Sequence, residues 1–166
     1  MGRKKDTRKR IGHREQGVLD RTIKHIRTFK VFWKNKKKGE TRLNDYLIDH
    51  LRQAGLPIEN TSFLTATFLK ETFRPDCFIA GASTYNLLAV ECKKVTNKTV
   101  KSRWKEGLAQ CLLYTQKYKY VVFVLYDYTT TGFVTQAFGK GRKAETTFAK
   151  LLRKSLNIEI VSIAAQ

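Results

Sequence analysis

Two runs of residues, NLLAVEC (86–92) and YVVFVLYD (120–127), constrain this chain more than any other feature. Neither alternates apolar with polar residues, as a strand with one wet face must. The first therefore reads as a strand buried on both faces, and the second, continuously β-branched and aromatic, as a central strand. Between them, over about 102–118, Trp104, Leu108, Cys111, Leu112 and Tyr114 suggest a helix.

The flanking segments extend this pattern. Leu43, Leu47 and Leu51 recur at four-residue steps, Tyr46 and Ala54 widen the stripe, and Gly55-Leu56-Pro57 ends it, predicting a helix of about four turns. Strand-like stretches follow at 63–70 and 77–80. After the second buried strand come the turn-rich TTTG, a helix over about 142–156 and a short strand, IEIVSI. The expected fold is α/β: a mixed central β-sheet flanked by helices, in αβββαβ order with an extra helix and strand. No internal repeat is present, and 166 residues suit one core, placed here at 39–166.

Residues 1–38 form a basic arm, with 15 Lys and Arg against 3 Asp and Glu in a chain whose net charge is +19. Such an excess points to a polyanion as partner. The first fourteen residues are almost wholly polar and are expected to be disordered in isolation. Over about 16–34, Leu19, Ile23, Ile26, Phe29 or Lys30, and Trp33 recur at helical spacing opposite Arg21, Lys24, Arg27 and Lys34. That pattern predicts a basic amphipathic helix packed on the domain or on a partner; a homodimer is one such arrangement. Residues 35–39, with three consecutive lysines, read as a linker.

No apolar run approaches the roughly 20 residues needed to span a bilayer. MGRKKDTRKR is neither a secretory signal nor a myristoylation motif. The expectation is a soluble, intracellular, cytoplasmic protein, with nucleoid or nuclear association left open. Cys77, Cys92 and Cys111 lack CxxC spacing and leave one cysteine unpaired in any disulfide scheme, so buried reduced thiols are expected.

The chemistry-bearing residues lie at the ends of the short strands. Asp76 follows Arg74-Pro75 at the entry to one strand, while Glu91 and Lys93 close the run LLAV of the next. Two acids on neighbouring strands, whose backbones lie roughly 4.8 Å apart, can share a hard cation such as Mg²⁺ or Mn²⁺. Such a cation neutralises a phosphate and makes water nucleophilic at neutral pH. Glu91 and Lys93 are two residues apart and leave an extended strand on one face, with Cys92 on the other. Lys93 could orient the water, lower its pKa or hold the phosphate. A salt-bridged strand end is the alternative, but charges at the end of a buried strand are costly unless paired or metal-bound.

RPD, fifteen positions before the acid of VECK, together with GLAQCLLY, resembles the PD-(D/E)XK nuclease superfamily, and its RecB-type branch with a Q-x-x-x-Y motif in particular. The resemblance covers roughly residues 40–127. It implies a restriction-endonuclease-like core, metal binding by Asp76 and Glu91, catalysis with Lys93, and Gln110 and Tyr114 lining the site from one helix face. The superfamily's first helix often supplies a further acid. Glu40 is the preferred candidate, because it shares a face with Leu43, Leu47 and Leu51 whereas Asp45 and Asp49 lie toward the outer side. Three scattered cysteines cannot make the four-cysteine iron-sulfur cluster of some RecB-type relatives. No stretch fits GxxxxGK[ST], so the chain carries no ATP site of that kind.

A cleavage site needs its polymer held in register, which phosphate contacts supply without reading sequence. Candidates in the arm are Arg3, Lys4, Lys5, Arg8, Lys9, Arg10, Lys36, Lys37 and Lys38. A second set, Lys94, Lys98, Lys101 and Arg103, with Lys105 beyond it, follows Lys93. The expected function is a Mg²⁺-dependent deoxyribonuclease, endo- or exonucleolytic. The alternatives are a non-catalytic nucleic-acid-binding protein and a nuclease-fold subunit of a larger DNA-processing complex.

Overall fold

The computed structural model describes residues 11–61, 65–81, 85–138 and 143–166. Arg3, Lys4, Lys5, Arg8, Lys9 and Arg10 lie outside these residues, as do the start of the expected strand at 63–70 and residue 142 of the expected last helix. Helix α1 (His13–Thr28) is followed by a 3₁₀ turn (Trp33–Asn35) and α2 (Glu40–Gln53). Short strands β1 (Ala66–Phe68), β2 (Glu71–Phe73) and β3 (Cys77–Ile79) precede the long β4 (Asn86–Val95). Helix α3 (Val100–Tyr114), β5 (Tyr118–Asp127), α4 (Phe133–Gln136), α5 (Lys143–Leu156) and β6 (Ile158–Ala164) complete the order.

The main sheet has the order β3-β4-β5-β6, with β3 antiparallel to β4 and the other pairs parallel. Every residue of β5 is buried, as the unbroken apolar run required. Alternate residues serve two cores. Val90, Cys92, Val122, Val124 and Val161 pack toward Leu19, Ile23 and Ile26 of α1 and Leu43, Leu47 and Leu51 of α2. Ala89, Val121, Phe123, Leu125 and Ile158 pack on the other side with Cys111 and Tyr114 of α3 and Leu152 of α5. The protein is thus α/β, a mixed sheet flanked by helices. All three cysteines are free and buried.

Several expected boundaries move. The first helix covers His13–Thr28 rather than about 16–34. It starts earlier because Glu15 accepts a hydrogen bond from the Gly12 backbone N–H at 2.9 Å. It stops earlier because Val31 pairs in parallel with Ala165, which draws the following chain into extended backbone. Its apolar stripe packs on the domain rather than on a partner.

The expected strand at 63–70 does not enter the main sheet. Leu69 and Lys70, with φ of 50° and 69°, turn the chain back so that Phe68 faces Glu71 in a separate hairpin. Helix α3 also begins and ends earlier than 102–118, which brings Lys101 onto its first turn.

Helix α3 approaches the sheet at Gly107. A Cβ there would lie 2.5 Å from two ring carbons of Phe123 and 2.8 Å from Cγ of Lys93. Phe123 is fully buried and its ring has nowhere to move. Gly107→Ala is therefore expected to destabilise the protein by roughly 1–3 kcal/mol in urea unfolding, the usual cost of overpacking. In an exposed helix the same change would gain about 1 kcal/mol. A net gain here would show that α3 can shift outward without loss.

Candidate active site

Strand pairing brings the two acids together. Cys77 lies opposite Val90 at the end of the β3–β4 ladder, which brings Asp76, the residue before Cys77, close to Glu91, the residue after Val90. The Asp76 N–H donates to the Val90 carbonyl at 2.9 Å, one residue off the register of the ladder, which holds Asp76 against β4 at this end. Both Asp76 oxygens are engaged: Oδ1 accepts from Nδ2 of Asn44 at 2.7 Å, and Oδ2 from the Cys92 N–H at 2.7 Å. Glu91 and Lys93 leave β4 toward α3, with side chains only 3% and 6% exposed, and Lys93 Nζ lies 2.6 Å from Glu91 Oε1.

Lys93 is encircled by acids. Beyond Glu91, its ammonium is 3.3 Å from Glu106 of α3 and 3.9 Å from Glu40 of α2. Burial alone would lower its pKa, but Glu91, Glu40 and Glu106 outweigh burial and raise it. Lys93 is consequently an ammonium at neutral pH and cannot take a proton from water. Glu40 in turn accepts from the Lys94 N–H at 2.6 Å and from Arg103 Nη2 at 2.7 Å. Asp45 and Asp49 are exposed, so Glu40 is the acid of α2 that reaches this group.

The carboxyls of Asp76 and Glu91 hold their protons more tightly than usual. Burial, reinforced by Asp76, pushes Glu91 up to about 8 against the pull of Lys93 and Tyr114. Burial likewise pushes Asp76 up to about 6, against the Cys92 N–H and Lys93, which pull it down. The Tyr114 hydroxyl lies 2.6 Å from the Arg74 carbonyl and 3.1 Å from Glu91 Oε2. It has one proton to give, and the Arg74 carbonyl can only accept. When Tyr114 turns to Arg74, a protonated Glu91 completes the chain by donating to the hydroxyl.

As donors, Asp76, Glu91 and Glu40 suit a hard divalent cation, being carboxylates that share a desolvated corner. Oδ1 of Asn44, whose amide holds Asp76, is buried with no hydrogen-bond partner among the described residues, an unanswered acceptor of the kind a cation or its ligands would meet. Among the described residues, no three or more His, Cys, Asp or Glu are gathered into a ready-made metal cluster. Gln110, one turn before Tyr114 on α3, also has a buried Oε1 without a partner among the described residues.

Of the basic residues singled out from sequence, Lys36, Lys37, Lys38, Lys98 and Lys101 are exposed. Two others are turned inward: Arg103 clamps Glu40 and Glu106, and Lys94 Nζ donates to the carbonyls of Lys36 and Lys38. Asn44 and Glu106 were not anticipated. Asn44 was legible as a polar residue one turn after Glu40, but Glu106 looks like any exposed helix acid. An apolar cavity of about 550 Å³ lies farther along the same face, beside Val95, Trp104 and Phe138, and the acids of the site do not line it.

No protein-family model, curated protein or solved structure matches this chain.

Both acids, Glu91 buried and Asp76 half-buried, bind protons more tightly folded than unfolded, so their contribution to stability is complete below the ordinary carboxylate range and is lost as pH rises through about 6 and then about 8. In EDTA, the unfolding free energy should fall from pH 5 to pH 8.5 by up to about 1.4 kcal/mol per pH unit for each group, and the melting temperature should fall with it. Glu91→Gln should flatten the upper part of this slope. An unchanged slope would mean that Glu91 is already ionised at pH 5 in the folded protein.

Proposed function

We propose that this protein is a metal-dependent nuclease that hydrolyses phosphodiester bonds in DNA, built on a restriction-endonuclease-like core. The observation that carries the proposal is an acidic group, Asp76, Glu91 and Glu40, set around Lys93 in a chain of net charge +19. A surface so basic attracts a polyanion, whereas buried carboxylates repel a phosphate unless a cation lies between them. The β3–β4 pairing, the parallel β4–β5 pair with its α3 crossover, and the RPD, VECK and GLAQCLLY motifs all support this reading.

Asp76 and Glu91 would hold Mg²⁺ or Mn²⁺, with Glu40 the third available carboxylate. A cation bound there supplies charge neutralisation at the phosphate and a more acidic water. The chain's own groups do the positioning. Asn44 and the Cys92 N–H orient Asp76, while Tyr114 and Lys93 orient Glu91. Lys93, set as an ammonium among Glu91, Glu40 and Glu106, is placed to hold a phosphate oxygen or offset developing negative charge.

One observation favours a second reading, a non-catalytic nucleic-acid-binding protein. All four oxygens of Asp76 and Glu91 already have partners within the protein, so the pair is also intelligible as a closed ionic network. The two readings separate when linear, circular and branched DNA are incubated with the protein in Mg²⁺, in Mn²⁺ and in EDTA, beside Glu91→Ala. The nuclease reading expects metal-dependent cutting that falls by roughly 10²-fold or more in the variant, on the scale of removing one preorganised electrostatic group. DNA binding should persist. Binding without cutting by the unaltered protein would establish the second reading.

A further inference from the structure

The segment between α1 and α2 carries aromatic rings in the open, each with a cation against it. Phe32 is 41% exposed and Trp33 39%. Lys34 Nζ lies 5.6 Å from the Phe32 ring centroid and Lys36 Nζ 5.0 Å from that of Trp33. On α2, Tyr46 carries Lys38 at 4.8 Å and Arg42 at 5.4 Å. Exposed aromatic faces cost free energy in water, and a solvated lysine linker has no use for them.

These rings are held in place rather than trailing. Val31 pairs with Ala165, the Trp33 N–H donates to the Gln166 carbonyl at 3.0 Å, and the Trp33 ring packs nearly perpendicular to Tyr128 at 5.9 Å. The segment is also fastened to the candidate active site. Lys94, the residue after Lys93, donates through Nζ to the carbonyls of Lys36 and Lys38, while its N–H donates to Glu40. A chain lying on Phe32 and Trp33 therefore sits next to the strand that carries Glu91 and Lys93.

We infer that Phe32, Trp33 and the lysines at 34–38 form a stacking platform for an unpaired DNA strand, so that the protein prefers single-stranded or splayed DNA at this site. The inference rests on the nuclease reading only for the choice of DNA as ligand. Lysines alone would hold strand and duplex alike through their phosphates. Aromatic faces distinguish them, because an unpaired base can stack on a ring, whereas a paired base has both faces covered by its neighbours.

The test is fluorescence anisotropy with the full chain in EDTA, using an oligo-dT strand of about 20 nucleotides and a blunt duplex of equal length. The double substitution Phe32→Ala with Trp33→Ala should weaken binding to the strand about tenfold or more and leave the duplex nearly unchanged. Trp33→Phe, which keeps a flat ring, should retain strand affinity. Lys37→Ala should weaken both ligands alike and reduce the salt slope by about one.

Should the double variant fold poorly, Trp104→Phe leaves Trp33 as the sole tryptophan, and its fluorescence should be quenched by the strand and not by the duplex. Equal loss on strand and duplex, no loss on either, or equal quenching by both would overturn the platform. The outcome is independent of cleavage. Discrimination by a protein that cuts nothing would sink the nuclease and keep the platform, and metal-dependent cutting without discrimination would do the reverse.

Discussion

The rest of the structure is arranged around the desolvation of two opposite charges on a strand covered on both faces. Glu91 and Lys93 occupy successive positions on the α3 side of β4, between Ala89 and Val95, where every other residue facing that way is apolar. Burying either charge alone would cost several kcal/mol, so each must bring partners from other elements. Helix α2 supplies Glu40 and, through Asn44, the hold on Asp76; α3 supplies Glu106 and Tyr114. The close seat of α3 at Gly107 follows, since a side chain there would collide with the stem of Lys93 itself.

The layering of the fold was legible because it depends on hydrophobic pattern. Unbroken apolar runs gave β4 and β5, and the leucine ladder of α2 pointed inward as its period required. What pattern could not reveal were decisions made by distant residues or by unusual backbone. Helix α1 ends where Val31 meets Ala165, a contact across most of the chain. The β1–β2 hairpin turns on Leu69 and Lys70 in left-handed conformations, with none of the glycine or asparagine that usually marks such a turn.

The candidate site divides in the same way. Asp76, Glu91 and Lys93 were readable because acids and a lysine at the ends of apolar strands are out of place. Glu40 was chosen over Asp45 and Asp49 by helix face alone, and it is the one that meets β4. Counting charges misled in one respect: Lys94 and Arg103 read as phosphate contacts, yet both are turned onto the protein, one fastening the lysine segment and the other clamping Glu40. A sequence shows that a charge exists but not which way it faces. Trp33 shows the converse error, an apolar residue assigned to a helix stripe that stands partly exposed on a 3₁₀ turn.

The cost of the buried group bears on what it is for. A buried ion pair seldom stabilises a fold better than well-packed apolar residues of the same size, and β4 has apolar neighbours on both sides that could have continued through positions 91 and 93. Nothing in the sheet register needs a charge there, because the pairing of β4 with β5 runs unbroken from Leu88 to Val95. Nor do the partners recover the whole penalty, since Glu91 and Asp76 remain shifted toward their neutral forms. A carboxyl pair held this way gains more from a divalent cation than from a proton once the pH exceeds their raised values. The proposed nuclease thus gives a reason for retaining charges that the fold alone would be better without.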